Sequence, residues 1–147
     1  MERAMVQTRP DRTLGPGHDE FWAWCENGEL RLQRCNSCRG HSWPVVTGCE
    51  HCGSLDLAWE QMSGLGKVVS WCSFEHDYYQ GKIRVPYETI LVELAGGPLF
   101  ISNPADFSRD DITFEMPVKL TFLDCEDSAG SFRLPVFAKV ESHFRRA

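Results

Sequence analysis

Four of the seven cysteines fall in two Cys-x-x-Cys pairs, Cys35-Asn36-Ser37-Cys38 and Cys49-Glu50-His51-Cys52, with ten residues between them. A Cys-x-x-Cys turn aims two sulfurs at one point, and two such turns supply the tetrahedral four-sulfur shell that zinc accepts without geometric penalty. Gly40 and Gly53 follow the two pairs and suit backbone turns that bring amide N–H groups toward the sulfurs. Ligation by all four thiolates closes the site, so the metal is expected to be structural rather than catalytic. Four sulfurs suit a single iron equally well, and geometry does not separate the two metals. A redox dithiol is the weaker reading, because such a motif sits in a strand–helix unit and is not duplicated.

The remaining candidates for chemistry are sparse. Cys72 alternates with core-type residues and is expected to be a buried, inert thiol, as are Cys25 and Cys125. His76-Asp77-Tyr78 reads as a solvated turn, and His41 and His51 as neighbours of a filled metal site that hydrogen-bond or face water. There is no nucleophile elbow, Gly-rich phosphate loop or His-Glu-x-x-His helix. Nothing assembles a base, a nucleophile and an oxyanion site, so the chain does not read as an enzyme on its own.

The elements that must position these groups follow from periodicity. The 147 residues are 42% hydrophobic, with five Trp and nine Phe, enough for a packed core in one domain or two small ones sharing it. The net charge of −6 disfavours a nucleic-acid partner. No apolar run approaches the ~20 residues needed to cross a bilayer. The polar first residues lack the apolar core of a secretory signal. Paired, odd-numbered cysteines fit a reducing cytoplasm, the expected location.

Residues 1–29 read as a flexible lead-in, broken by Pro10, Gly15, Pro16 and Gly17, and then an aromatic helix. Asp19 charges the helix start, Phe21, Trp24 and Cys25 recur at helical spacing, and Gly28 ends it. Phe21, Trp22 and Trp24 exceed what one buried stripe uses, which makes them candidates for binding a partner. Residues 30–62 read as a zinc ribbon, with a strand at Leu30 and Leu32 before the knuckles and another at Leu55, Leu57 and Trp59 after them. Residues 63–147 carry five strands at period two. These run through Val68–Phe74 (Val68, Ser70, Cys72 and Phe74 on one face), Ile90–Leu94, Leu99–Ile101, Val118–Phe122, and Leu134, Val136, Ala138 and Val140. Gly96-Gly97 suits a hairpin, and Ser108–Thr113 a single helical turn between the third and fourth strands. Five strands with a small helix after the third is the arrangement of an OB-fold barrel. The expected fold is mainly β: a helix, a four-cysteine ribbon, then the barrel.

The order of these pieces is diagnostic. Phe21-Trp22-Ala23-Trp24, then Gly28-Glu29-Leu30-Arg31-Leu32-Gln33-Arg34-Cys35, the ribbon, and Ser63-Gly64-Leu65-Gly66-Lys67-Val68 resemble the OB-fold family with a rubredoxin-like zinc ribbon, long known as a domain of unknown function. Val85-Pro86-Tyr87, Leu91-Val92-Glu93-Leu94, Met116-Pro117-Val118 and Leu134-Pro135-Val136-Phe137 match as well. Glu115 departs from the family, which often has Gly there, and so does Val136, where a basic residue is common. The resemblance implies a non-catalytic partner of thiolase-like enzymes, including a thiolase-like aldolase of steroid side-chain degradation, that helps form their acyl-CoA site in a hetero-oligomer. Arg31, Arg34, Lys67, Lys82 and Arg84 are then the cations available to CoA. A rival reading is a single-stranded nucleic-acid module, with Trp43, Trp71, Phe74, Tyr78 and Tyr79 as stacking surfaces. A third is an iron-containing electron carrier.

Overall fold

The computed structural model describes residues 6–140. In chain order the elements are strand β1 (Gln7–Thr8), helix α1 (His18–Glu26), β2 (Arg31–Cys35), β3 (His41–Ser42), β4 (Leu57–Gln61), β5 (Leu65–Phe74), β6 (Tyr87–Leu94), β7 (Leu99–Ser102), a 3-10 turn (Arg109–Asp111), β8 (Met116–Asp127) and β9 (Gly130–Lys139). The ribbon is a three-stranded sheet in the order β3-β2-β4, and its register sets Cys35 opposite Leu57. The second sheet runs β1-β8-β5-β6-β7, with β9 on the far edge of β8. It curls into a half-barrel. Between β7 and β9 the closure is a single parallel bridge, Pro104 to Phe137, with the Ser102 hydroxyl donating to the Pro135 carbonyl at 2.9 Å.

One core serves helix, ribbon and barrel. Phe21 of α1, Leu30 and Leu32 beside and within β2, and Val92, Phe100 and Phe137 of the barrel belong to the same buried cluster. The helix carries Asp19 and Glu20 in its first turn, where the dipole favours acids. Gly28, at φ +79°, turns the chain out of it into β2. Close approach explains Gly66: a Cβ there would meet Val92 Cγ1 at 2.6 Å and the Glu93 carbonyl at 2.9 Å, so β5 and β6 pair tightly only with glycine.

The structure corrects several expectations. The lead-in is not free of elements: Gln7–Thr8 pairs in parallel with Cys125–Glu126. Arg12 then clamps Asp127, with Nε to Oδ2 at 2.8 Å and Nη2 to Oδ1 at 3.1 Å. The strand after the second knuckle begins at Leu57, and Leu55 is 79% exposed. In β5 the register against β6 shifts between Val68 and Ser70. The extra residue, Val69, reverses the alternation, so Trp71 rather than Cys72 shares a face with Ile90, and Cys72 is exposed, not buried. In β9 the residue opposite Leu120 and in the shared core is Phe137. Leu134 and Val136 lie on the other face of β9, opposite Leu123 and Thr121. Glu115 stands at φ +67°, a left-handed conformation that glycine adopts without strain.

Candidate metal centre and adjoining cleft

Cys35 ends β2, Cys38 closes the turn after it, and Cys49 and Cys52 form the opposite knuckle. One ligand atom from each lies within 4.8 Å of all the others. Cys35 Sγ is 3.6 Å from Cys52 Sγ, and Cys38 Sγ is 3.5 Å from Cys49 Sγ. Tetrahedral zinc with ~2.3 Å bonds separates its sulfurs by about 3.8 Å, so the cluster fits the ion closely. Backbone N–H groups surround the sulfurs: Ser37 and Cys38 donate to Cys35, Gly40 to Cys38, and His51 to Cys49, at 3.3–3.4 Å. Donation from the Cys38 amide, then from Ser37, pulls the Cys35 thiol down to about 6. At Cys52 the Ser54 amide pulls down, but the three neighbouring sulfurs together push the thiol up to about 12. The set therefore does not ionise completely by itself. A divalent cation removes that conflict.

The two ribbon histidines turn away from the sulfurs. His51 Nε2 donates to the His41 carbonyl at 2.9 Å, and His41 Nε2 meets Glu60 at 2.6 Å. Hydrogen bonding from His41, reinforced by Arg34, holds the Glu60 carboxyl below its usual range. Four thiolates make a closed shell that leaves the metal a structural part.

The helix aromatics do not form one exposed face. Phe21 is 2% exposed, packed on Trp43 at 4.5 Å and Phe100 at 6.5 Å. Trp22 stands edge-on to Phe132 and donates its indole N–H to the Thr13 carbonyl. Trp24 is half-buried, with the Arg31 guanidinium 4.1 Å above its ring. Trp43, a candidate stacking residue, lies against the core, and Phe74 stacks on Tyr87.

The candidate cations separate into two groups. Arg31 pairs with Glu29, Arg34 with Glu60 and Lys67 with Glu115. Lys82 and Arg84 pair with no carboxylate among the described residues. Both line a cleft of about 630 Å³ between the β5–β6 loop, the strap carrying β1, and the outer face of β8 and β9. A third cation on its wall, Arg9, escaped the sequence reading, because nothing local ties a lead-in arginine to strands more than a hundred residues away.

Residues 22–58 match the family described as ChsH2, rubredoxin-like zinc ribbon domain, and residues 59–123 that described as ChsH2, C-terminal OB-fold domain. The chain belongs to this zinc-ribbon and OB-fold family. Its four-cysteine cluster is the ribbon's structural zinc site. The chain is 32% identical over 129 residues to a probable enoyl-CoA hydratase alpha subunit of Thermomonospora curvata, covering 88% of this chain and 39% of that protein. It is 30% identical over 96 residues to a DUF35 domain-containing scaffold protein of Pyrococcus furiosus, covering 65% of this chain and 62% of that one. The chain thus spans less than two thirds of either relative. Among solved structures, a chain of the Ltp2-ChsH2(DUF35) aldolase superposes with a TM-score of 0.75 at 29% identity, over 88% of this chain and 98% of that one. Among the described residues no helix is long and apolar enough to cross a membrane.

Proposed function

We propose that this ChsH2-type chain is a non-catalytic accessory subunit that docks on a thiolase-like enzyme and helps form its acyl-CoA site, with retro-aldol or thiolase chemistry carried by the partner in lipid or steroid side-chain degradation. The observation that carries the reading is the likeness, over nearly a whole chain, to a component of the Ltp2-ChsH2(DUF35) aldolase. The relatives described as a hydratase alpha subunit and a scaffold protein are in keeping with it. So is the chemistry of the chain: its best-formed polar cluster is a closed metal shell with no open coordination position. In this reading Lys82 and Arg84, the two candidate cations left without carboxylate partners, meet the CoA phosphates, and the half-buried Trp24 contributes to the docking face.

Co-expression with the cognate enzyme, followed by size-exclusion chromatography and thioester turnover, tests the proposal. A stable hetero-oligomer is expected, with the enzyme inactive or insoluble alone. Equal turnover by the enzyme alone, with no co-elution, refutes it.

A further inference from the structure

The strap that precedes α1 carries two arginines with opposite circumstances. Arg12 is fully matched by Asp127, through its backbone N–H, Nε and Nη2. Arg9, half-buried, has one side-chain partner: Nη2 donates to Asn103 Oδ1 at 3.3 Å. Asn103 is itself held by donating to the Glu88 carbonyl at 2.8 Å. No carboxylate pairs with Arg9 among the described residues. Burial pushes its pKa down, and no carboxylate is among the charged or titratable groups that act on it. A guanidinium offers five N–H donors. Withdrawing a cation from water without a counter-charge is unfavourable, so such a group is normally completed by an anion. Arg12 already anchors the strap, so Arg9 is not needed for that.

Arg9 lies on the wall of the 630 Å³ cleft, a volume within the range of small-molecule sites. Lys82 and Arg84 join it there, against one carboxylate, Glu88. The local balance is three cations to one acid in a chain whose net charge is −6. The opposite wall is apolar: the partly exposed Leu123 and Leu134 come from the outer face of β8 and β9, with the fully buried Val136 behind them. Here the phase of β9 matters, because it sets Leu134 on the face away from Phe137 and onto the cleft.

We infer that this cleft binds an anionic amphiphile, with a carboxylate or phosphate-ester head on Arg9 between Lys82 and Arg84, and an aliphatic or alicyclic body on Leu123 and Leu134. Every residue named for this site belongs to this chain. Binding is therefore read on the isolated protein, and the inference stands or falls separately from assembly with an enzyme.

The test is calorimetric titration of the full, zinc-loaded chain with decanoate, decyl phosphate and the neutral decanol. Both anions, or one of them, are expected to bind at least tenfold more tightly than decanol. Tighter binding of decyl phosphate assigns the head as a phosphate ester, as in a CoA thioester, and tighter binding of decanoate assigns a free acid. Arg9→Met keeps the aliphatic stem and removes the charge. It is expected to weaken the anions by about 10- to 100-fold, the scale of a lost charge-assisted hydrogen bond, and to leave decanol unchanged. Its melting temperature is expected to equal or exceed that of the parent, because no ion pair is broken. Leu134→Trp, which fills the cleft from the apolar side, is expected to block all three ligands. The inference is overturned if no anion binds, if decanol binds as tightly as the anions, or if Arg9→Met binds them unchanged. It is also overturned if Arg9→Met lowers the melting temperature as a structural arginine would.

Discussion

Phe21→Ala and Trp24→Ala separate the two roles of the aromatic helix. Phe21 is 2% exposed and sits where helix, ribbon and barrel meet, between Trp43 and Phe100. Truncating a buried Phe removes its transfer free energy and leaves a cavity, together about 3–5 kcal/mol. The ring packs on both the ribbon (Trp43) and the barrel (Phe100), so the site cannot close by moving one of them, and the upper half of that range is expected. For a chain of this size, about 4 kcal/mol lowers the melting temperature by about 12 °C, taking about 3 °C per kcal/mol. Trp24 touches a single named partner, Arg31, and a half-exposed cation–π contact contributes about 1 kcal/mol. Its truncation is expected to shift melting by about 3 °C, yet to weaken co-elution with the partner enzyme by more than ~2 kcal/mol if it is a docking hot spot. Urea unfolding of the zinc-loaded proteins supplies the stabilities, and equal m-values confirm that the denatured states are comparable. A loss below about 1 kcal/mol for Phe21→Ala refutes the keystone placement. A loss for Trp24→Ala as large as that for Phe21→Ala shows that its ring is structural and removes it from the docking face.

Three further outcomes follow from the same contacts. Cys49→Ser is expected to release the metal, normally about one zinc per chain, and to unfold the ribbon, because structural zinc contributes ~10–16 kcal/mol of apparent binding energy; a metal-free variant with unchanged melting contradicts this. The Arg12 hydrogen bonds hold the Asp127 carboxyl far below its usual range. That contribution is fully present above about pH 5 and is lost as pH falls through and below the unfolded value near 3.9, so Asp127→Asn should flatten stability against pH in this acid window, as read by urea midpoints. Of the three cysteines outside the ribbon, Cys72 is exposed, whereas burial pushes the Cys25 thiol up to about 12. Ellman titration of the folded, zinc-loaded protein should therefore find Cys72 reactive and Cys25 and Cys125 silent until unfolding.

What the sequence made legible is what short-range chemistry fixes. The ligand set was readable because a Cys-x-x-Cys turn is a local geometry and its duplication has few other uses. The hairpin at Gly96-Gly97 and the turn at Arg109–Asp111 are local in the same sense. The misplacements each have a non-local cause. A single bulge residue, Val69, exchanged the faces of Trp71 and Cys72, and composition does not announce a bulge. In β9, Pro135, Val136 and Phe137 are all buried, so alternation between core and solvent was not there to be read, and the phase depends on the pairing of Phe137 with Leu120. Gln7–Thr8 forms a strand only because Cys125–Glu126 offers it an edge.

The shared core gives the metal a reach beyond the knuckles. Cys35 is the last residue of β2, and Leu32, three positions earlier on the same strand, is fully buried in the cluster that holds Phe21. Leu30, just before β2, joins it, and its carbonyl accepts from the Met62 N–H at the barrel's entrance. A ribbon released from zinc loses the constraint that aligns β2 with β4, and with it the wall against which α1 packs. The sulfurs need not touch a partner for the ion to matter to assembly. By fixing β2 they fix Leu30 and Leu32, which support Phe21, and the helix presents Trp24 in the orientation that its burial of Phe21 dictates. The amphiphile cleft is built from the strap, the β5–β6 loop and the outer face of β8 and β9. None of its lining residues belongs to the ribbon. Metal and cleft are thus separable parts of one small protein, the first supporting the packing of α1 and the second carrying charge beside apolar surface.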